Sequence, residues 1–155
     1  MQRRLWLALA LLAAAVPVLA HHGWGSFDQN APVYIEGRVK SVEWRNPHAE
    51  AVVEVGAALT LPADLAQRKL PAQSQAVDGA AIAAKARVPN TPAGDWEIEF
   101  APLSRMEAWG VAPLKAGDRI GLIGYTGVPG KPRLMRVEYL FVDGKAYGLR
   151  SSPVR

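Results

Sequence analysis

Two of the chain's three histidines stand side by side, at His21 and His22, directly after a long apolar stretch. If a signal peptidase cuts after Ala20, His21 becomes the N-terminal residue and offers a free amine and an imidazole to one cation. His22 adds a second imidazole. Nitrogen-rich coordination of this kind suits copper(II), whereas zinc prefers a tetrahedral set that usually includes oxygen or sulfur. The pair therefore predicts a copper(II) site, provided that cleavage occurs there.

Residues 1–20 have the features of an export signal. Arg3 and Arg4 give a positively charged start, residues 5–20 are uncharged, and the stretch ends in Val-Leu-Ala, which a signal peptidase can accept. The apolar stretch is shorter than the roughly 20 residues that a membrane-spanning helix needs. We therefore expect cleavage near Ala20, a periplasmic or secreted mature chain, and no retained membrane span.

The third histidine, His48, follows Asn46-Pro47, which interrupts an alternating apolar pattern in residues 33–56. Such an interruption between two strands predicts a hairpin with His48 at or beside its tip. If this tip lies near the N-terminus, all three histidines could bind one copper ion. The alternative is that His21 and His22 are a frayed chain end and that His48 is an ordinary hairpin residue. The sequence leaves both open.

A further group of residues lies close to the histidines in sequence. Their side chains could wall a site or orient the imidazoles. The position of Trp44 in the apolar pattern of its strand also fits core packing, and Asp28, Glu43 and Glu50 also fit solvated strand edges. The group consists of Trp24, Asp28, Glu43, Trp44 and Glu50.

Composition excludes several classes of function. The chain has no cysteine, which rules out disulfides, thiolate metal sites and a catalytic thiol. Without residues 1–20 the formal charge falls from +4 to +2 (16 basic against 14 acidic side chains), and the basic residues are scattered, so we expect no nucleic-acid partner. No nucleophile elbow, phosphate-binding glycine loop or dinucleotide fingerprint is present.

These exclusions favour a non-catalytic exported protein that binds copper(II) through its N-terminal amine and histidines. One alternative is a metal-free OB-like module that binds a ligand or a periplasmic protein. A third hypothesis is a copper-dependent oxidative enzyme, because an N-terminal histidine can support such chemistry. That class usually presents a broad aromatic face around the metal, which this chain does not clearly supply.

The elements that would position these residues are mostly strands. Alternating or continuous apolar patterns predict five strands, and Asp143-Gly144 predicts a final hairpin. The apolar phase slips near Lys40-Ser41, which predicts a β-bulge. Ser104 to Glu107 form a capping-box pattern, which together with Gly110 after it predicts a helix of under two turns. Five strands with a helix between the third and fourth predict a small OB-like barrel, with an open β-sandwich as the alternative.

Residues 57–93 differ from the rest of the chain. They are rich in alanine and proline and contain no aromatic residue. We expect a poorly packed, low-complexity insertion within a single domain that spans residues 21–155.

Three segments carry a resemblance to a family: HHGWGSFD, PVYIEGRVKSVEWRNPH and LKAGDRIGLIGY. They resemble an uncharacterised family of small exported bacterial proteins that have His-His after the signal peptide and a Glu-Trp-x-Asn-Pro-His motif. The likeness covers most of residues 21–56 and 95–150, while the insertion and Ala49-Glu50-Ala51 depart from the pattern. The resemblance implies a fold and a compartment but no activity.

Overall fold

A computed structural model describes residues 23–154. Six strands form one sheet, and two short α-helices and two 3-10 turns flank it. The strands are β1 (Val33–Glu43), β2 (Glu50–Val55), β3 (Gly94–Glu99), β4 (Arg119–Tyr125), β5 (Leu134–Val142) and β6 (Lys145–Gly148). The helices are α1 (Gly79–Lys85) and α2 (Leu103–Ala108), and the 3-10 turns are Trp24–Ser26 and Leu65–Gln67.

The first five strands close into a barrel. Strand β1 pairs antiparallel with β2 and β4, β2 pairs with β3, and β4 pairs with β5. A parallel pairing of β3 with the start of β5 closes the ring. Strand β6 pairs antiparallel with the end of β5 and lies outside the ring. The predicted small OB-like barrel with a short helix between the third and fourth strands is thereby confirmed.

Two irregularities bend the barrel strands. The register between β1 and β2 shifts between Val39 and Ser41, which confirms the predicted bulge. A second shift lies between Ile123 and Gly124 in β4. A Cβ at Gly124 would lie 2.4 Å from the Arg136 carbonyl oxygen, so only glycine allows β4 and β5 to approach this closely.

Helix α2 starts in a way that the sequence did not indicate. The predicted helix of under two turns is confirmed, but Ser104 does not cap it, because the helix already begins at Leu103 and Ser104 lies inside it. The carbonyl of Pro102 accepts the hydrogen bonds of Arg105 and Met106, and the fixed φ of proline favours this entry. Met106 then packs into the barrel core, and Gly110, with φ of 67°, ends the turn as expected.

The insertion is packed, which contradicts the expectation from its composition. Leu65, Ala83 and Ala86 are buried against Tyr34 and Tyr139 on the outer face of the barrel. The Asp78 carboxylate accepts a hydrogen bond from the Ala81 amide (2.9 Å) and so caps α1. Small alanines pack well here because they let the helix backbone approach the aromatic rings closely. Among residues 23–154, no helix is long and apolar enough to cross a membrane.

Candidate functional site

His48 lies in the connection between β1 and β2, directly after the cis peptide bond of Asn46-Pro47. The side chain is half-buried. Its Nε2 atom is 3.1 Å from Nη2 of Arg136. The prediction that His48 stands at the hairpin is therefore correct, and its imidazole has a cationic neighbour that the prediction did not include.

Arg136 links this corner to the rest of the barrel. The parallel pairing of β3 and β5 sets Arg136 beside Glu99, and Nη1 donates a hydrogen bond to the Glu99 carboxylate (3.1 Å). Both side chains are nearly buried, at 7% and 12% exposed. The same guanidinium lies 5.3 Å from the ring centroid of Trp24. Arg136 therefore touches both the histidine corner and the start of the described chain.

The contact with Arg136 fixes the tautomer of His48. A guanidinium has only N–H donors and no acceptor, so Nε2 has to accept this hydrogen bond. The ring is then neutral and carries its proton on Nδ1.

Trp24 anchors the N-terminal segment on the barrel. The Arg150 guanidinium lies 4.0 Å from its ring centroid, and Tyr125 contacts it edge-to-face at 6.2 Å. Gln29 reinforces the contact, because its amide nitrogen donates to the Trp24 carbonyl and its amide oxygen accepts from Arg150. Next to it, Phe27 is buried on Tyr125. Trp24 is thus engaged within the molecule and does not present an open stacking platform.

A buried carboxylate lies behind this anchor. Glu138 is fully buried and accepts hydrogen bonds from Arg150 (2.7 Å) and from the Gln73 amide (2.9 Å). Burial, then the negative charge of Glu138, raises the pKa of Tyr125 to about 12. Burial and the neighbouring Arg136 lower the pKa of Arg105. The region therefore contains two buried ion pairs, Arg136–Glu99 and Arg150–Glu138, with Arg105 close to Arg136.

The remaining predicted wall residues do not converge on His48 in the same way. Asp28 is exposed and accepts a hydrogen bond from the Asn30 amide, as in an Asx turn. Glu43 is exposed and pairs with Arg45. Trp44 packs against the barrel core. Glu50 stands directly opposite Glu99 across the β2–β3 ladder.

Sequence reasoning missed the charged residues of this region, among them Arg136 and Glu138. A signal for both was present, because they interrupt the otherwise apolar strand β5. A charged residue in a buried strand needs a partner, and that requirement could have pointed to the site. The predicted ligands His21 and His22 lie outside the described residues. Residues 23–154 alone contain no group of three or more His, Asp or Glu side chains that could hold a metal ion.

Comparison with known proteins adds one finding. Residues 9–60 match the model of a family of unknown function, DUF6152. The match covers about a third of the chain and includes all three histidines. It supports the resemblance to an uncharacterised family, while the likeness over residues 95–150 and the individual motifs stay predictions. The comparisons with curated proteins and with solved structures each returned no match.

Proposed function

We propose that this chain is an exported, non-catalytic protein that binds one copper(II) ion through the His21 amine and the imidazoles of His21, His22 and His48. One observation carries the proposal: Arg136 contacts both His48 and Trp24. The histidine pair precedes Gly23-Trp24 in the sequence. The first described residues and the third histidine therefore share one side of the barrel.

Chain length supports the same conclusion. Three residues in a fully extended chain span about 10 Å, so a chain that begins three positions before Trp24 is long enough to bring its amine to a corner beside Trp24. Trp24 itself is anchored on this side of the barrel by Arg150 and Gln29, which supports the proposal. If Trp24 were held on another side of the barrel, a chain that begins at His21 would be too short to bring its amine to His48.

The chemistry of the donor set gives the proposed site a pH dependence. An N-terminal amine titrates at ~8 and an imidazole at ~6.5, and both must lose a proton to bind metal. Copper affinity should therefore fall steeply between about pH 7 and pH 5. Export, which makes this amine available, rests on the signal-like residues 1–20.

The test compares two forms of the mature chain, one that starts at His21 and one with a single extra glycine before it. Native mass spectrometry of the exported protein establishes the N-terminus and the copper count together. We expect one copper(II) ion on the form that starts at His21 and a large loss of affinity in the glycine-extended form. Equal affinity of the two forms would mean that the amine is not a ligand, and the proposal would fail.

A second comparison tests the contribution of the third histidine. His48→Ala should weaken copper binding and reduce the number of nitrogen ligands seen by electron paramagnetic resonance. The matched control is Asn90→Ala, since Asn90 is an exposed loop residue in the insertion. If His48→Ala binds copper as the control does, His48 is not part of the site.

A further inference from the structure

We propose that a groove beside the β5–β6 hairpin binds a small amphipathic anion, that is, a carboxylate or phosphate attached to an aromatic group. The groove has a volume of about 550 Å³, which is within the range of small-molecule sites. Its walls come from three parts of the chain: residues 68–69 after the Leu65–Gln67 turn, Arg119 at the start of β4, and residues 141–146 of the hairpin. The inference uses no histidine and is therefore independent of the proposed copper site.

Cations outnumber anions in the walls of this hairpin groove. Its charged lining residues are Arg68, Lys69, Arg119, Lys145 and Asp143. Both lysines are exposed, and within residues 23–154 neither takes part in an ion pair. Two ammonium groups without a fixed counter-ion beside the same groove favour an anionic ligand.

The two arginines are held in place by neighbouring acids. The Nε and Nη2 atoms of Arg68 donate to the two carboxylate oxygens of Asp64, at 3.0 and 3.1 Å. Arg119 makes a longer contact, 3.4 Å, with the Glu36 carboxylate. When these two acids and Asp143 are included, four cations face three anions around the groove. The positive excess therefore remains, and the lysines supply it.

The apolar wall of the groove consists of Phe141, Val142 and Ala146. Phe141 packs against the outer-face cluster that contains Tyr34, and the Arg68 guanidinium lies 5.1 Å from its ring centroid. The hairpin register places Val142 opposite Lys145, so the apolar wall and a free ammonium group meet at one end of the hairpin. An aromatic group can bury itself on this wall while its anionic substituent meets the lysines.

This combination excludes simpler ligands. An inorganic anion leaves the Phe141 wall unused, and a neutral aromatic molecule leaves the lysines unused. Only a ligand that carries both groups makes both sets of contacts. We therefore expect the two parts of an amphipathic anion to reinforce each other.

The first test titrates the chain, without added metal, with phenyl phosphate, benzoate, inorganic phosphate and benzyl alcohol. At least one of the two aromatic anions should bind about tenfold or more tightly than inorganic phosphate and benzyl alcohol. Amide shifts in NMR spectra should concentrate at residues 68–69 and 141–146. If neither aromatic anion exceeds both simpler probes, or if the shifts lie elsewhere, the proposal is overturned. The order of phenyl phosphate and benzoate distinguishes a phosphate ligand from a carboxylate ligand.

The second test removes the two unpaired cations. Lys69→Gln/Lys145→Gln should weaken binding of the preferred aromatic anion about fivefold relative to the wild type, because the attraction of two exposed charges is lost. The matched control is Lys85→Gln/Lys131→Gln, which removes the same charge from exposed residues outside the groove. If the control weakens binding equally, the anion responds to overall charge and the groove is not its site.

The third test changes the apolar wall. Phe141→Leu keeps an apolar side chain but removes the ring, so the preference for an aromatic anion over inorganic phosphate should shrink at least about threefold. Affinity for inorganic phosphate is the internal control and should stay unchanged. An unaltered preference in a folded Phe141→Leu would contradict the proposed contact. If this variant does not fold, the exposed lysine pair still decides, since its side chains contribute nothing to the core.

Discussion

The barrel interior and the layer that covers one side of its outer face are held together in different ways. The interior is apolar. It is filled mainly by the inward-pointing side chains of strands whose successive side chains point alternately inward and outward. The covering layer consists of segments 23–32, 57–93 and 149–154, and charged side chains tie it to β5. Glu138 binds Arg150 of the C-terminal segment and Gln73 of the insertion, while Arg150 reaches Gln29 of the N-terminal segment.

Apolar packing stabilises the barrel interior, whereas contacts between charged and polar side chains hold the covering layer. Interior packing depends on many side chains, each of which contributes a few kcal/mol through burial of apolar surface. The covering layer depends on few contacts between residues that lie far apart in sequence, such as Gln29 and Arg150, which are 121 positions apart. The loss of a single charged residue, such as Arg150, therefore breaks contacts between several segments of the layer at once.

The largest expected effect compares the same substitution in the two regions. Leu122 is fully buried in the barrel, and Leu65 is 3% exposed in the insertion. Leu122→Ala should lower the free energy of unfolding by about 4 kcal/mol, because the closed barrel cannot collapse onto the cavity. Leu65→Ala should cost about 2 kcal/mol, because the 3-10 turn around it can relax.

Urea denaturation of both variants measures this difference, with Ala66→Gly as the control for the backbone of the same turn. Ala66 is exposed, so its change reports backbone entropy alone. If Leu65→Ala lowers the free energy of unfolding by less than Ala66→Gly does, the insertion is as poorly packed as its composition suggests.

The next effect concerns the charged contacts of the layer. Arg150→Met keeps an apolar side chain on Trp24 but leaves the buried Glu138 with Gln73 as its one side-chain partner among residues 23–154. We expect a loss of about 3 kcal/mol, because removing one member of a buried pair leaves an uncompensated charge. The double variant Arg150→Met/Glu138→Gln should recover most of it, since no charge is then left buried.

Hydrogen exchange locates this loss. The Asp28 amide donates to the Thr126 carbonyl and holds the N-terminal segment on the barrel. In Arg150→Met its exchange should accelerate, while the amides of the β1–β4 ladder stay protected. Equal acceleration in both places would mean that barrel and layer unfold as one unit and that the contrast between them is wrong.

The barrel could be predicted from the sequence because its signals are local. The alternation in residues 33–56, the phase slip at Lys40-Ser41 and the break at Asn46-Pro47 each depend on neighbours in the chain. The bulge and the position of His48 follow directly from them. The same local rule misplaced the start of α2, because Pro102 supplies a carbonyl that the capping-box pattern does not take into account.

The covering layer could not be predicted in this way. Its alanines pack only because aromatic rings from distant strands lie beneath them, as Tyr34 and Tyr139 do under α1. Arg136 and Glu99 meet through the parallel closure of the barrel, which no local pattern specifies. The type of the residue was therefore enough to single out His48, whereas its neighbours Arg136 and Glu99 could not be predicted.

The smallest effect per residue comes from pH, and it concerns the tyrosines beneath the covering layer. Tyr34, Tyr125 and Tyr139 lie between the barrel and the layer, and burial is the largest cause that raises the pKa of each. Because these folded-state values exceed the unfolded value of about 10, the stability that the tyrosines contribute is complete below pH 10 and is lost as the pH rises further. Each should remove up to about 1.4 kcal/mol of unfolding free energy per pH unit above pH 10. The pKa of Tyr125 reaches about 12. Between pH 10 and 11, the unfolding free energy of Tyr125→Phe should therefore fall less steeply with pH than that of the wild type, by the contribution of one tyrosine. An unchanged slope in Tyr125→Phe would mean that its hydroxyl ionises in contact with solvent, and that the N-terminal segment does not cover the barrel where Trp24 meets Tyr125.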